Sequence, residues 1–258
     1  MYLAKSIAAT GVRHQQYRID TIAHNVANAN TVGYKTSRLD FKDALYTYGL
    51  NPSLPRTPEA NQQKGHGVML NGIARDFRTG NFERTNQPLD IAIENEGFFS
   101  MSDAAGNLIY SRNGNFNLSV EAGGTFVVNG EGLYLLDTNG ARITVPPGAN
   151  AIDIDVNGTF GFRMGDELVP GQTIGIFTFR NLHGLESVGF GNFTQSDAAG
   201  ERLPANNAVV RQGILEGSNV NLAAEMTRLI RTQRAFQLAS RALTTADEME
   251  GVANNMRR

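Results

Sequence analysis

Apolar residues recur at alternating steps of four and three at both ends of this chain. From Ala8, the positions Val12, Gln15, Ile19, Ile22, Val26 and Ala29 share one mostly apolar helical face, the kind of seam by which one helix packs on another. The spacing predicts a helix over roughly residues 3 to 29. It closes in Asn28-Ala-Asn-Thr-Val-Gly33, where Asn and Gly tolerate left-handed backbone. At the other end Leu222, Met226, Leu229, Gln233, Phe236, Ser240 and Leu243 repeat the spacing, before Met249, Val252 and Met256 shift the stripe. Glycine is absent from Asn219 to Glu250 and proline from everything after Pro204. An uninterrupted helix over about residues 220 to 255 follows, with Ser218 or Asn219 as its expected N-cap.

Between the helices the texture changes. Asn-Gly pairs stand at 71–72, 113–114, 129–130, 139–140 and 157–158, a dipeptide that favours type I′ hairpin turns. Strand-like runs lie among them at Leu89 to Ile93, Thr125 to Val128, Leu133 to Leu136, Ala151 to Val156 and Thr173 to Phe179. From Tyr46 to Gly67 three prolines and little periodicity predict an extended connector. The fold class expected is α+β: long N- and C-terminal helices packed as a coiled-coil-like pair around a central all-β domain rich in hairpins. Residues 1–35 and 215–258 form the terminal-helix domain, 36–74 a connector or arm, and 75–214 the central β domain. Two long amphipathic helices must bury their stripes against each other or against neighbouring copies.

Composition narrows the function. The 23 Lys and Arg residues against 25 Asp and Glu leave a net charge of −2, which supplies no general field for nucleic acid or an anionic membrane. The chain has no cysteine, so disulfides, thiolate nucleophiles and Cys-ligated zinc are excluded. Its start lacks the basic and apolar regions of a cleaved secretory signal, and no run of about 18 apolar residues predicts a membrane-spanning helix.

The motifs give catalysis no foothold. Asp153-Ile-Asp-Val-Asn-Gly158 matches the opening of a calcium loop, but the twelfth position is Met164 where a bidentate carboxylate is needed; a hairpin turn is the simpler reading. His14, His24, His66 and His183 lack metal-ligand spacing, so no metal or cofactor is expected. No nucleophile elbow or phosphate loop occurs. Arg228, Arg231, Arg234 and Arg241 are helically spaced, but Asp247, Glu248 and Glu250 follow, which makes a solvated or subunit-facing edge a better reading than a phosphate stripe. Two rival classes are an exported β-rich glycan-binding module and a wall hydrolase using two carboxylates among Asp90, Glu94, Glu96 and Asp103.

Longer strings carry a resemblance. Asn25-Val-Ala-Asn-Ala-Asn-Thr-Val-Gly-Tyr-Lys35 resembles the N-terminal signature of the bacterial flagellar basal-body rod and hook protein family. Leu215-Glu-Gly-Ser-Asn-Val-Asn-Leu-Ala-Ala-Glu-Met226, Arg231-Thr-Gln-Arg-Ala-Phe236 and Thr244-Thr-Ala-Asp-Glu-Met249 resemble its C-terminal half. Gly80-Asn-Phe82, Pro88-Leu-Asp-Ile-Ala-Ile93, Gly97-Phe-Phe99 and Tyr110-Ser-Arg-Asn-Gly-Asn-Phe116 are similar to its central part, so the likeness covers nearly the whole chain. The length leaves no room for the outer domains of hook subunits and resembles that of distal rod subunits, with proximal rod or hook-type subunits as alternatives.

The resemblance implies a structural subunit, not an enzyme. Many copies would form a hollow helical tube that transmits torque and passes exported subunits, with the terminal helices inside and the β domain outside. It implies the flagellar basal body as location, export to the cell envelope without a cleaved signal peptide, and other rod and hook proteins, with ring proteins around the rod, as partners. The expected assembly interface comprises Ile19, Ile22, Asn25, Val26, Asn28, Asn30, Gly33, Tyr34, Asn219, Asn221, Met226, Leu229, Phe236 and Leu243, the apolar members for helix–helix burial and the amides for capping or bonding between subunits.

Overall fold

The computed structural model describes residues 2–45, 47–49, 62–64, 67–165 and 167–256. Most of the expected connector, His66 included, lies outside the described residues. The fold is α+β, with a helix at each end and a hairpin-rich β centre. The chain divides into two units, one of residues 1–27, 37–74 and 221–258, the other of residues 28–36 and 75–220.

The first unit holds helices α1 (Tyr2–Ala27) and α2 (Leu222–Asn255). They run antiparallel, because Lys5 pairs with Asp247 and, at 3.7 Å, with Glu250, while Asn25 meets Glu225 at the far end. On α1 the less exposed positions include Gln15, Ile19, Ile22 and Val26. On α2 they include Glu225, Leu229, Thr232, Phe236, Ala239, Ser240, Leu243, Ala246 and Glu250. This stripe shares Leu229, Phe236, Ser240 and Leu243 with the expected seam but takes Thr232 in place of Gln233. At 3.6 residues per turn two adjacent positions flank any seam line, and threonine hides its hydroxyl by donating to the Arg228 carbonyl at 2.8 Å. Leu222 and Met226 are exposed instead.

The cap of α2 is Asn221, not Ser218 or Asn219: its side chain accepts from the Ala224 amide at 3.0 Å. Asn219 is occupied elsewhere, as described below. The strand Ser37–Asp43 packs along α1 and pairs with Val68–Arg75. Phe41 lies edge-on to His14 at 5.5 Å and under the Arg18 guanidinium at 5.6 Å.

The second unit is built on a ten-stranded sheet. In the strand Phe98–Ser102, alternation sends Phe99 and Met101 into a large core with Phe116, Val127, Leu135 and Phe160. Phe98 joins a smaller cluster with Tyr110, Phe179, Leu185 and Phe193. Neighbouring copies of one residue type thus stabilise two cores.

The hairpin ends differ from the type I′ turns expected at the Asn-Gly pairs. Those turns need left-handed backbone at Asn as well as Gly, and among the described residues Asn86 and Phe190 are the non-glycine ones with positive φ. Instead four loops share one construction, beginning at Asp103, Asn129, Asp137 and Asp155 and ending three residues later at a glycine. The glycine amide donates to the first residue's carbonyl at 2.8–3.1 Å, and the backbone N–H of the first residue bonds across to the residue after the glycine. Each glycine has φ between 78° and 89°, which glycine adopts without steric cost. Three of the first residues also use their own Oδ1 to accept amides within the loop. The aspartate-rich segment Asp153 to Gly158 is one of these hairpins, joining Ala151–Ile154 to Thr159–Met164.

Candidate functional site

The signature strings of the two chain ends converge in the second unit. Just past α1 the Asn28 side chain accepts from the Thr31 hydroxyl at 3.1 Å. The left-handed residue is Gly33 alone (φ +69°), not the asparagines. Its amide donates to the Glu216 carbonyl at 2.7 Å, and a methyl group at its Cα would sit 2.6 Å from the Asn113 nitrogen. Both the conformation and the close approach therefore demand glycine.

Two residues on, the Lys35 ammonium donates to Glu216 Oε1 at 2.6 Å and to the Arg78 carbonyl at 2.8 Å. Arg112 donates to Glu216 Oε2 at 3.1 Å and to the carbonyls of Ile93 and Asn95 at 3.2 and 2.8 Å. The Gly80 amide completes the Oε1 shell at 2.9 Å. Burial pulls the Lys35 ammonium below its ordinary pKa, with the Glu216 charge opposing that pull; burial likewise lowers Arg112. A carboxylate facing two cations in a dry site has its charge and lone pairs satisfied, which is the condition for holding it there.

Beside this cluster Asn219 ties three segments together. Its Oδ1 accepts from the Thr36 amide at 2.8 Å and hydroxyl at 2.6 Å, and its Nδ2 donates to the carbonyls of Asp76 at 2.7 Å and Arg78 at 3.0 Å. The Asp76 amide in turn donates to the Thr36 carbonyl at 2.9 Å. Tyr34 is buried nearby, its carbonyl accepting from the Asn219 amide.

In the first unit Asn25, 1% exposed, acts as a strand partner. Its Oδ1 accepts from the Ser37 amide at 3.0 Å and its Nδ2 donates to the Ser37 carbonyl at 2.8 Å. Glu225 is buried against it and holds Arg228 at 2.5 Å. Ile22 is buried; Ile19, Val26, Leu229, Phe236 and Leu243 are half-buried on the facing helix sides. Met226, Asn30 and Asn221 are exposed.

Sequence patterning missed Lys35, Arg112, Glu216 and Glu225 as buried charges, since charged residues are ordinarily read as surface. All four do stand inside the strings that carried the resemblance. Of the carboxylates weighed as catalytic, Glu96 is exposed, and Asp90, Glu94 and Asp103 have separate engagements. Asp90 accepts from Asn115, Glu94 pairs with Arg211, and Asp103 caps its own loop.

The comparisons agree with this geometry. Residues 6–35 match the family described as flagella basal body rod protein, residues 92–161 the flagellar hook protein FlgE/F/G D1 domain, and residues 211–256 the flagellar basal body rod FlgEFG protein C-terminal family. The flagellar basal-body rod proteins FlgG of Borreliella burgdorferi and Agrobacterium fabrum are 34% and 35% identical. The matches cover 97% of this chain with 97% and 98% of those proteins. The flagellar hook-basal body complex protein FlhP of Bacillus subtilis is 31% identical over 97% of each chain. A converging pair of terminal signatures, held by Lys35, Glu216 and Asn219, and full-length likeness to rod proteins lead to one conclusion: this chain belongs to the flagellar basal-body rod protein family and is a structural subunit, not an enzyme.

Proposed function

We propose that this subunit builds the distal part of the rod, self-assembling into a hollow helical tube that transmits torque and passes exported subunits. Residues 1–35 and 215–258 form the inner layer as a coiled-coil-like helical pair, 36–74 an arm, and 75–214 the outer layer. The observation that carries this reading is the set of large apolar side chains that α2 leaves outside its seam. While Leu229, Phe236 and Leu243 turn toward the less exposed side, Leu222, Met226, Ile230 and Leu238 remain 42–65% exposed, and Met249, Val252 and Met256 are 57–80% exposed. A helix that leaves large side chains outside its seam has a second surface to bury, and neighbouring copies supply it.

On this reading Ile19, Ile22 and Val26 pack within the helical pair, Met226 reaches the next copy, and Asn30 and Asn221 lie where exposed amides can bond between subunits. Asn25, Asn28, Gly33, Tyr34 and Asn219 act indirectly, by holding in place the segments that flank the helices. Full-length similarity to FlgG proteins supports the distal assignment. Neighbours would be other rod and hook proteins and the surrounding rings, reached by export without a cleaved signal peptide. No helix among the described residues is long and apolar enough to cross a membrane.

Electron microscopy and sedimentation of concentrated protein test the proposal. The parent forms hollow filaments, and Leu238→Lys suppresses them without lowering the melting temperature. A parent that stays monomeric at every concentration overturns it.

A further inference from the structure

The ten-stranded sheet is branched, and its longest run of paired strands has two ends among the described residues. Across it run Phe116–Glu121, Gly124–Asn129, Tyr134–Leu135, Phe98–Ser102, Leu108–Ser111, Asn192–Thr194 and Glu186–Gly189, each paired with the next. The last two form a hairpin tipped by Phe190. That side chain is 81% exposed, and its backbone is left-handed (φ +52°) between two glycines that are left-handed as well. A bulky residue rarely adopts that conformation, and here it holds an aromatic ring out in water. Val188 beside it is 56% exposed.

At the opposite edge Leu118 and Val120 are 44% and 82% exposed. Next to them opens a cleft of about 390 Å³ whose walls include Pro88, Leu89, Phe116, Leu118, Ala149 and Ile152. One edge thus presents an aromatic knob and the other a hole whose apolar walls are interrupted by polar side chains, Asp90 and Asn117 among them.

We propose that Phe190 of one copy inserts into the Leu118 cleft of the next. The occupant is a second copy of this chain because knob and hole are complementary and lie on opposite edges of one sheet. Such a contact is heterologous: every copy uses each surface once, and each addition leaves one knob and one cleft free. Contacts of that kind propagate without closing unless rotation brings the ends together. An aromatic anchor filling a desolvated pocket is the usual form of an interface hot spot. The inference rests on the self-assembly proposed above and adds a contact through the β-rich part that is independent of the terminal helices.

The chain has no cysteine of its own, so introduced thiols report unambiguously. Size-tagged Phe190→Cys copies are mixed with Leu118→Cys copies at concentrations well above about tenfold the parent's half-assembly point, which offsets the loss of the ring, and oxidised. They form a mixed disulfide dimer in excess over Phe190→Cys mixed with Leu168→Cys, a control position 57% exposed on another strand. Separately, Phe190→Ser and Leu118→Arg each raise the concentration for half-assembly by about tenfold or more, with unchanged circular dichroism and melting. If the parent assembles while Phe190→Cys links no better to position 118 than to 168, this contact is overturned and self-assembly stands. If Phe190→Ser weakens assembly without that selective link, the knob meets another surface and the cleft is excluded. A parent that never assembles removes both proposals.

Discussion

Lys35 and Glu216 form an ion pair of 2.6 Å across 181 positions of sequence, each side chain 1% exposed. The pair joins the segment leaving α1 to the segment entering α2, and Arg112 closes on the second carboxylate oxygen. Removing the shared anion leaves two buried cations facing each other. Glu216→Ala therefore destabilises the chain by about 3–5 kcal/mol, read as a lower urea midpoint. Lys35→Met costs less, because the Arg112–Glu216 pair survives it.

Asn25 makes two bonds to the backbone of Ser37. Asn25→Leu keeps the bulk but strands that amide and carbonyl, for about 1–3 kcal/mol. Hydrogen exchange at the Ser37 amide accelerates more than exchange across the β-rich unit. Equal acceleration everywhere would show instead that the whole fold had been loosened.

Two nearby asparagines have separable roles. Asn221→Ala removes the α2 cap and costs about 0.5–2 kcal/mol, with fraying confined to the first turn of α2. Asn219→Ala removes bonds to Thr36, Asp76 and Arg78, and the loss appears as faster exchange at the Thr36 amide. Helical content separates the two variants in circular dichroism.

Acid sensitivity has a local source at Asp76. Its hydrogen bond from Arg78 holds the carboxyl below the ordinary value of 3.8. A depressed folded pKa means that the unfolded chain binds the proton first as pH falls, so the stability this group contributes is complete above 3.8 and lost through the lower folded value. Melting temperature in Asp76→Asn consequently falls less steeply than in the parent below pH 3.8, while the two run parallel above it.

Periodicity made both helices legible, because a four-three apolar rhythm survives without any knowledge of partners. It left the phase of α2 ambiguous, since Thr232 and Gln233 flank the seam equally well until α1 is present. Density of Asn, Asp and Gly announced hairpins, yet the turn type was misread: the decisive glycine follows an aspartate or asparagine by three, and adjacency to asparagine is incidental. The charge cluster of Lys35, Arg112 and Glu216 was invisible to patterning. Its members are scattered over most of the chain, and only the folded backbone makes burial tolerable by aiming the carbonyls of Arg78, Ile93 and Asn95 at the ammonium and guanidinium. Family likeness pointed to the right strings without saying what they hold.

The four hairpin ends at Asp103, Asn129, Asp137 and Asp155 divide their labour unevenly. The opening residue and the closing glycine fix the bend, so the side chains at the two positions between them are left exposed. Of these Glu131 alone reaches another strand, accepting from Asn192 at 2.6 Å. Those interior pairs, Thr138 and Asn139 among them, are natural places to hang a reporter dye or epitope, and a lineage could diversify its outward face there without moving a single strand.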